Sequence, residues 1–323
     1  DSHFMEPLDL YPRYIDPAFR DRAMRIENDP ASGEPRVLVD GKPLKMVNTA
    51  DLLAAVVAYG QKEAGQDVSN FDQYLALSPD WQDMDKRVQF LDAEGIQAQV
   101  IYPTLGLLWE GSVDDPVFAD ALSRAYNTWA FELCAGHSDR LFPAAHISLR
   151  DAPLAVRELN RVAKLGCRTI FVAAAPVNGR SFGHPDFDAI WAAVQDLDLS
   201  VGIHLTGHRH STGREWYRDR DPGMMFVTMN LIQDPRMALT TMVYDGAFER
   251  FPKLRVATIE SASGWVVEWL DRLDYRYSYM GHSCQMERPA SEYFERNIWI
   301  AADPEERLRA VTDPRFSFPG VEP

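Results

Sequence analysis

Residues 186–204 read DFDAIWAAVQDLDLSVGIH, an amphipathic helix followed after a short turn by a strand that ends on a histidine. The same order recurs on both sides. Residues 154–165 carry apolar side chains at helical spacing, end at Gly166 and lead into RTIFV (168–172). Residues 235–248 give way to LRVATI (254–259), and 293–297 to IWIAA (298–302). Upstream, a helix ending near Glu94-Gly95 precedes IQAQVIY (96–102), and one rich in Trp129, Phe131 and Leu133 precedes RLFPAAHI (140–147). Short apolar runs alternating with helices predict α/β architecture with parallel βα units, since a parallel crossover needs a helix-length connection. With a first strand at or just before Asp1 and a last, short one at RFSF (315–318), eight strands are expected, the number that closes a TIM-type (β/α)8 barrel. Residues 25–45 break the rhythm with Asp29-Pro30, Ser32-Gly33 and Asp40-Gly41, and read as a β-hairpin inserted after the first strand. Residues 209–228, rich in Arg and Asp, read as a long active-site loop after the fifth strand. No domain boundary is evident, so 1–323 is expected to be one barrel domain.

The bulk properties narrow the function. A 323-residue chain with 46% hydrophobic residues can bury a full core. Its formal net charge of −15 argues against nucleic acid, whose phosphates need a basic surface. It neither identifies nor excludes a local pocket for an acidic substrate. Cys134, Cys167 and Cys284 are sparse and unpaired in spacing, which predicts reduced thiols and a cytoplasmic protein. No run of about 18 apolar residues is present, so no membrane-spanning helix is expected. Asp1-Ser2-His3 is polar and unlike a signal peptide, and the sequence does not open on Met, so it is expected to begin inside a longer polypeptide.

In such a barrel, chemistry gathers at the C-terminal ends of the strands. Asp1 and His3 are two apart, so on an extended strand both side chains face one way and can meet a single ion at roughly 2.0–2.2 Å. His204 ends the fifth strand, with His208 and His210 beyond it; His146 lies near the end of the third. Glu260 follows the largely apolar VATI (256–259), and a carboxylate at a barrel mouth needs a cation or a strong donor to offset its desolvation. An arginine partner would satisfy it equally, and each histidine has a plain alternative as a buried, hydrogen-bonded residue. Tyr102, Leu107, Leu108, Trp109, Trp216, Phe226 and Trp265 are candidates for an apolar or aromatic pocket wall, with ordinary packing as the alternative. Trp265, Trp269 and Leu273, at i, i+4 and i+8, read as helix packing first.

Several motifs in order resemble the amidohydrolase-2 family, which includes aminocarboxymuconate-semialdehyde decarboxylase and γ-resorcylate decarboxylase. They are DSHFMEP (1–7), IYPTLG (101–106), RAYNTWAFE (124–132), DAPLAVREL (151–159), HPDFDAIW (184–191), VGIH (201–204), FPKLRVATIESASGWVVEWLDRLD (251–274) and PASEYFERN (289–297). The resemblance implies a metal-dependent barrel enzyme, and within that family hydrolases, decarboxylases and hydratases all occur. It implies a metal site built from Asp1, His3 and His204, holding Zn or Mn. Where the family usually carries a sixth-strand histidine this chain has Glu260, taken as catalytic and as a further ligand, with His208 as a second catalytic residue. His146, Tyr102, Trp109 and Trp265 are assigned to substrate binding. The family's eighth strand ends on a metal-binding Asp, but here RFSF is followed by PGVEP (319–323), so that aspartate is expected beyond the given sequence. The substrate is expected to be a small carboxylated or carbonyl-containing molecule, and a homo-oligomer is compatible with the resemblance. Two alternatives stand beside this. Two histidines with several carboxylates also suit a non-haem iron oxygenase, including one with two irons, and a barrel that has lost its last ligand would only bind a small molecule.

Overall fold

The computed structural model describes residues 2–31, 33, 35–44, 81–206, 216, 232–302 and 306. Three antiparallel strands, β1 (Arg25–Asn28), β2 (Pro35–Val39) and β3 (Lys42–Pro43), form a small sheet of their own. β1 pairs β2 with Arg25 opposite Leu38, and β2 turns into β3 through Asp40 and Gly41, both in the left-handed region with φ of 55° and 69°.

The remaining strands are parallel. β4 (Gln99–Ile101) pairs β5 (Leu141–Pro143). After Ala144 the chain continues as β6 (Ala145–His146), which begins a five-stranded order with β7 (Thr169–Ala173), β8 (Ser200–His204), β9 (Arg255–Ile259) and β10 (Ile298–Ile300). The Ala144 amide donates to the Ile101 carbonyl at 2.9 Å, so β4 runs on beside this group. On the other side of β4 the N-terminal segment is laid in parallel. Tyr102 N–H donates to Ser2 at 2.7 Å, Phe4 N–H donates to Tyr102 at 2.9 Å, and His3 bridges Tyr102.

Each crossover helix owes its place to local chemistry. Asp151 accepts the Leu154 amide at 2.8 Å and starts Ala152–Lys164, with Pro153 in the first turn. Gly166, at φ 89°, ends it in a conformation that a side chain would strain. In Asp188–Asp196 the residues Ile190, Trp191 and Val194 are fully buried, each contributing about 1.5–3 kcal/mol of apolar transfer. Side chains alternate along the strands. Ile170, Val172, Val201 and Ile203 join the helices in one core cluster, while Phe171, Ala173 and Ile259 turn to the opposite face with Tyr102 and Ala144. Gly202 shares that inner face, and a Cβ there would collide with the Tyr102 ring and hydroxyl. A side chain at 202 would thus displace the tyrosine that crosses the interior.

The sheet curls strongly. From the N-terminal segment to β8 there are four strand steps, which at about 4.8 Å each would set the two some 19 Å apart in a flat sheet. Yet the His3 and His204 rings lie 5.1 Å apart. Among the described residues no helix is long and apolar enough to cross a membrane, and all three cysteines are free thiols.

Candidate metal centre

Three side chains from three parallel segments converge where the strands end. His3 comes from the N-terminal segment, His204 is the last residue of β8, and Glu260 follows β9. In the parallel register His204 lies beside Ile259, so the next residue is delivered to the same rim. His204 Nε2 is 3.3 Å from His3 Nε2 and 3.3 Å from Glu260 Oε2. One donor atom from each of the three lies within 4.8 Å of the others.

The tautomers follow from the backbone. His3 Nδ1 is 2.9 Å from the Pro103 carbonyl, and His204 Nδ1 is 2.7 Å from the Leu205 carbonyl. A carbonyl oxygen only accepts, so each Nδ1 carries the proton and each Nε2 presents a lone pair. Two lone pairs facing each other at 3.3 Å beside a carboxylate oxygen repel, and a shared cation relieves that repulsion. Two ligands about 2.1 Å from one ion stand about 3–3.5 Å apart, which the Nε2–Nε2 distance matches. The residues present therefore fit a divalent metal.

Glu260 sits at φ 47° and Ala262 at φ 55°, left-handed values that cost a non-glycine residue about 1–2 kcal/mol each. The turn is braced from two sides. The Trp265 indole donates to the carbonyls of Ser261 and Ala262 at 3.0 and 2.8 Å, and Glu306 accepts the Ser263 and Gly264 amides at 2.7 and 3.1 Å. The kink leaves the Glu260 side chain 48% exposed, whereas the His204 side chain is fully enclosed.

Burial, followed by the neighbouring His3, pushes the His204 imidazole down to about 4, with Glu260 pulling the other way. Burial also lowers His3, against the opposing pull of Glu260 and the Pro103 hydrogen bond. Both rings are thus neutral at neutral pH. The unfolded imidazole titrates near 6.5 and the folded His204 near 4, so the metal-free protein keeps this contribution above pH 6.5 and loses it as pH falls through about 4. A single imidazole of ordinary pKa would weaken metal binding about tenfold at pH 5.5, through proton competition. With His204 contributing under about twofold, Mn2+ affinity is expected to fall between pH 7.5 and 5.5 by no more than about the tenfold that one ordinary imidazole would cost. Two ordinary imidazoles would cost about a hundredfold, and Mn2+ titrations at the two pH values would read the difference.

Asp1, His208 and His210 lie outside the described residues, as do Phe226 and the strand expected at 315–318. Trp216 is 82% exposed. The four expected substrate contacts are placed differently from one another. Tyr102 packs its ring 5.5 Å from that of His204 and 6.3 Å from that of His3, but its hydroxyl bonds Thr169 at the start of β7, away from the rim, and burial raises it to about 12. It supports the imidazoles from below. Trp109 and His146, expected at the substrate, are fully buried. They stack at 4.6 Å, and the Trp109 indole donates to the Tyr11 hydroxyl at 3.1 Å. His146 Nε2 meets Glu110 Oε2 at 3.0 Å in a buried network where Glu110 also accepts from Ser148 and Arg150. Burial alone would raise the Glu110 carboxyl, but Arg150 and then His146 outweigh it and hold it below the ordinary value. Trp265 is half-buried and braces the Glu260 turn through its indole N–H.

Glu6 is the residue that spacing did not single out. Its buried carboxylate accepts the Thr104 amide at 2.8 Å and the Leu105 amide at 3.1 Å. Burial pushes it up to about 7 against those hydrogen bonds. The only cue in the sequence is an acidic residue between the D-x-H pair and Pro7, whose partners stand about a hundred positions away.

Comparisons with known proteins place the chain in a family. A γ-resorcylate decarboxylase from Polaromonas sp. strain JS666 is 23% identical over 238 residues, covering 71% of this chain and 71% of that protein. In fold, an amidohydrolase from Mycobacterium avium subsp. paratuberculosis K-10 superimposes with a TM-score of 0.78 at 24% identity, over 95% of this chain and 83% of that one. A dihydroxybenzoic acid decarboxylase from Polaromonas sp. JS666, solved with bound manganese and the inhibitor 2-nitroresorcinol, gives 0.62 at 19% identity, over 79% and 76%. The amidohydrolase-2 family model, described as amidohydrolase, matches residues 76–311, well over half of the sequence. The chain belongs to the amidohydrolase family.

Proposed function

We propose that this protein is a metal-dependent carboxy-lyase acting on a small hydroxylated aromatic carboxylate, on a scaffold whose family also performs hydrolysis. The observation that carries the reading is the meeting of the His3 and His204 Nε2 lone pairs at 3.3 Å beside the Glu260 carboxylate. The similarity to a γ-resorcylate decarboxylase supports the substrate class, and the manganese in a related structure supports a divalent ion, Mn or Zn. The strong curl of the sheet supports a single closed (β/α)8 barrel spanning 1–323, with the antiparallel sheet of β1–β3 inserted after its first strand.

His3 and His204 would hold the ion, joined by Asp1. When bound, the ion supplies Lewis-acid polarisation of a substrate oxygen. The chain's own residues do the rest. The two carbonyl-anchored imidazoles stay neutral and fixed in direction. Glu260, half in solvent at the rim, handles the proton. In decarboxylation the bond from ring carbon to carboxylate breaks, CO2 leaves, and the electron pair left on the ring carbon takes a proton from the Glu260 carboxyl. In hydrolysis the same carboxylate would instead take a proton from attacking water. His208 is assigned to orient the substrate.

The test is metal analysis of the purified protein together with incubation on 2,6-dihydroxybenzoate, reading CO2 and the phenolic product. About one Mn or Zn per chain with stoichiometric CO2 is expected. Absence of bound divalent metal would refute the reading. Two irons with oxygen-dependent turnover would move the protein to the oxygenase alternative, and cleavage of esters, amides or lactones without CO2 would move it to hydrolysis.

A further inference from the structure

The N-terminal segment that supplies His3 is joined to the end of β4 by one bridge of two main-chain hydrogen bonds, and side-chain contacts add to that hold. Those contacts form a circuit. The His3 imidazole donates to the Pro103 carbonyl at 2.9 Å. The next two amides, of Thr104 and Leu105, donate to Glu6 at 2.8 and 3.1 Å, with Leu105 also 3.2 Å from the second Glu6 oxygen. Thr104 Oγ1 donates back to the Phe4 carbonyl at 2.6 Å, and Arg87 donates to the His3 carbonyl at 2.9 Å. Glu6 is fully buried, an environment that penalises a carboxylate by several kcal/mol unless its oxygens are well bonded. A loop needing only to be packed would be served by an apolar side chain.

We propose that Glu6 is a positioning residue for the metal centre: by gripping the Thr104 and Leu105 amides it fixes the direction of the Pro103 carbonyl, and through that carbonyl the tautomer and aim of the His3 ring. This rests on the reading that His3 and His204 hold a cation. Outer partners of ligating histidines commonly set metal affinity by about 10–100-fold, because they choose which nitrogen is free to bind. Glu6 acts one step further out, through the peptide group that carries the acceptor. Its contribution is therefore to affinity and ligand geometry, not to the reacting atoms.

The experiment measures Mn2+ affinity of the intact chain, by the EPR signal of free Mn2+, alongside the melting temperature. Glu6→Asp keeps the charge but withdraws it by one methylene, and Glu6→Gln keeps an acceptor oxygen at full reach. Asp is expected to weaken Mn2+ binding about 10–100-fold, and Gln to recover most of that loss. Leu159→Ala, in the fully buried helix-side core, controls for general loss of stability and is expected to leave Mn2+ affinity within about twofold while lowering the melting temperature. Glu6→Asp binding Mn2+ as the native chain does would overturn the proposal, and so would an equal loss of affinity in Leu159→Ala. If the native chain takes up neither Mn2+ nor Zn2+, the centre itself is refuted and Glu6 has nothing to position.

Discussion

Replacing His204 by alanine is expected to strip the chain of bound divalent metal and to lower turnover by about 10³-fold. The residue is fully buried and presents its Nε2 toward both His3 and Glu260. Its loss leaves one imidazole and a half-exposed carboxylate, too few donors among the described residues to hold an ion against water. Polarisation by a bound metal contributes several kcal/mol at the transition state, and each 1.36 kcal/mol is a factor of ten. The fold should survive, because an enclosed imidazole whose charged form is disfavoured contributes little that a small apolar side chain cannot approximate. Elemental analysis, kcat and a thermal melt read the three parts separately. A variant that kept both metal and turnover would show that the centre is not where the chemistry happens.

Glu260→Gln separates proton handling from ligation. The substitution preserves size and the acceptor oxygen but cannot donate or receive the proton that either reaction needs. A drop in kcat of about 10²–10⁴-fold is expected, with metal content falling far less than in His204→Ala. The contrast between the two variants is the informative result: equal loss of metal in both would make Glu260 primarily a ligand. Unchanged kcat would remove it from the mechanism. Because position 260 is held at φ 47°, asparagine or glycine would relieve backbone strain while withdrawing the carboxylate, so neither reports on the proton alone.

Much of the scaffold could be read from the chain because its signals are local. SVGIH (200–204) coincides with β8, and the Asp188–Asp196 helix before it follows from DFDAIWAAVQDL. Within the runs at 96–102 and 298–302 the strands proper are shorter, Gln99–Ile101 and Ile298–Ile300, although Tyr102 and Ala301 still bond neighbouring main chain. At the site, His204 and Glu260 were legible as polar residues closing apolar strands, and His3 through its D-x-H spacing. The surroundings of the aromatic residues were not. Trp109 and His146 sit in a connection and at a strand end, where a side chain can turn to the rim or into the core, and their contacts with Tyr11, Phe171 and Glu110 have no signature in the local spacing. The Glu6 and Glu110 contacts were equally hidden, joining residues 98 and 36 positions apart, where no periodicity points from one partner to the other.

Both imidazoles at the rim take their orientation from peptide carbonyls, Pro103 for one and Leu205 for the other. Main-chain atoms are common to every residue type, so exchanging the side chains at 103 and 205 need not abolish either acceptor. The aim of the two rings is therefore set by the course of the backbone rather than by the identity of those two side chains.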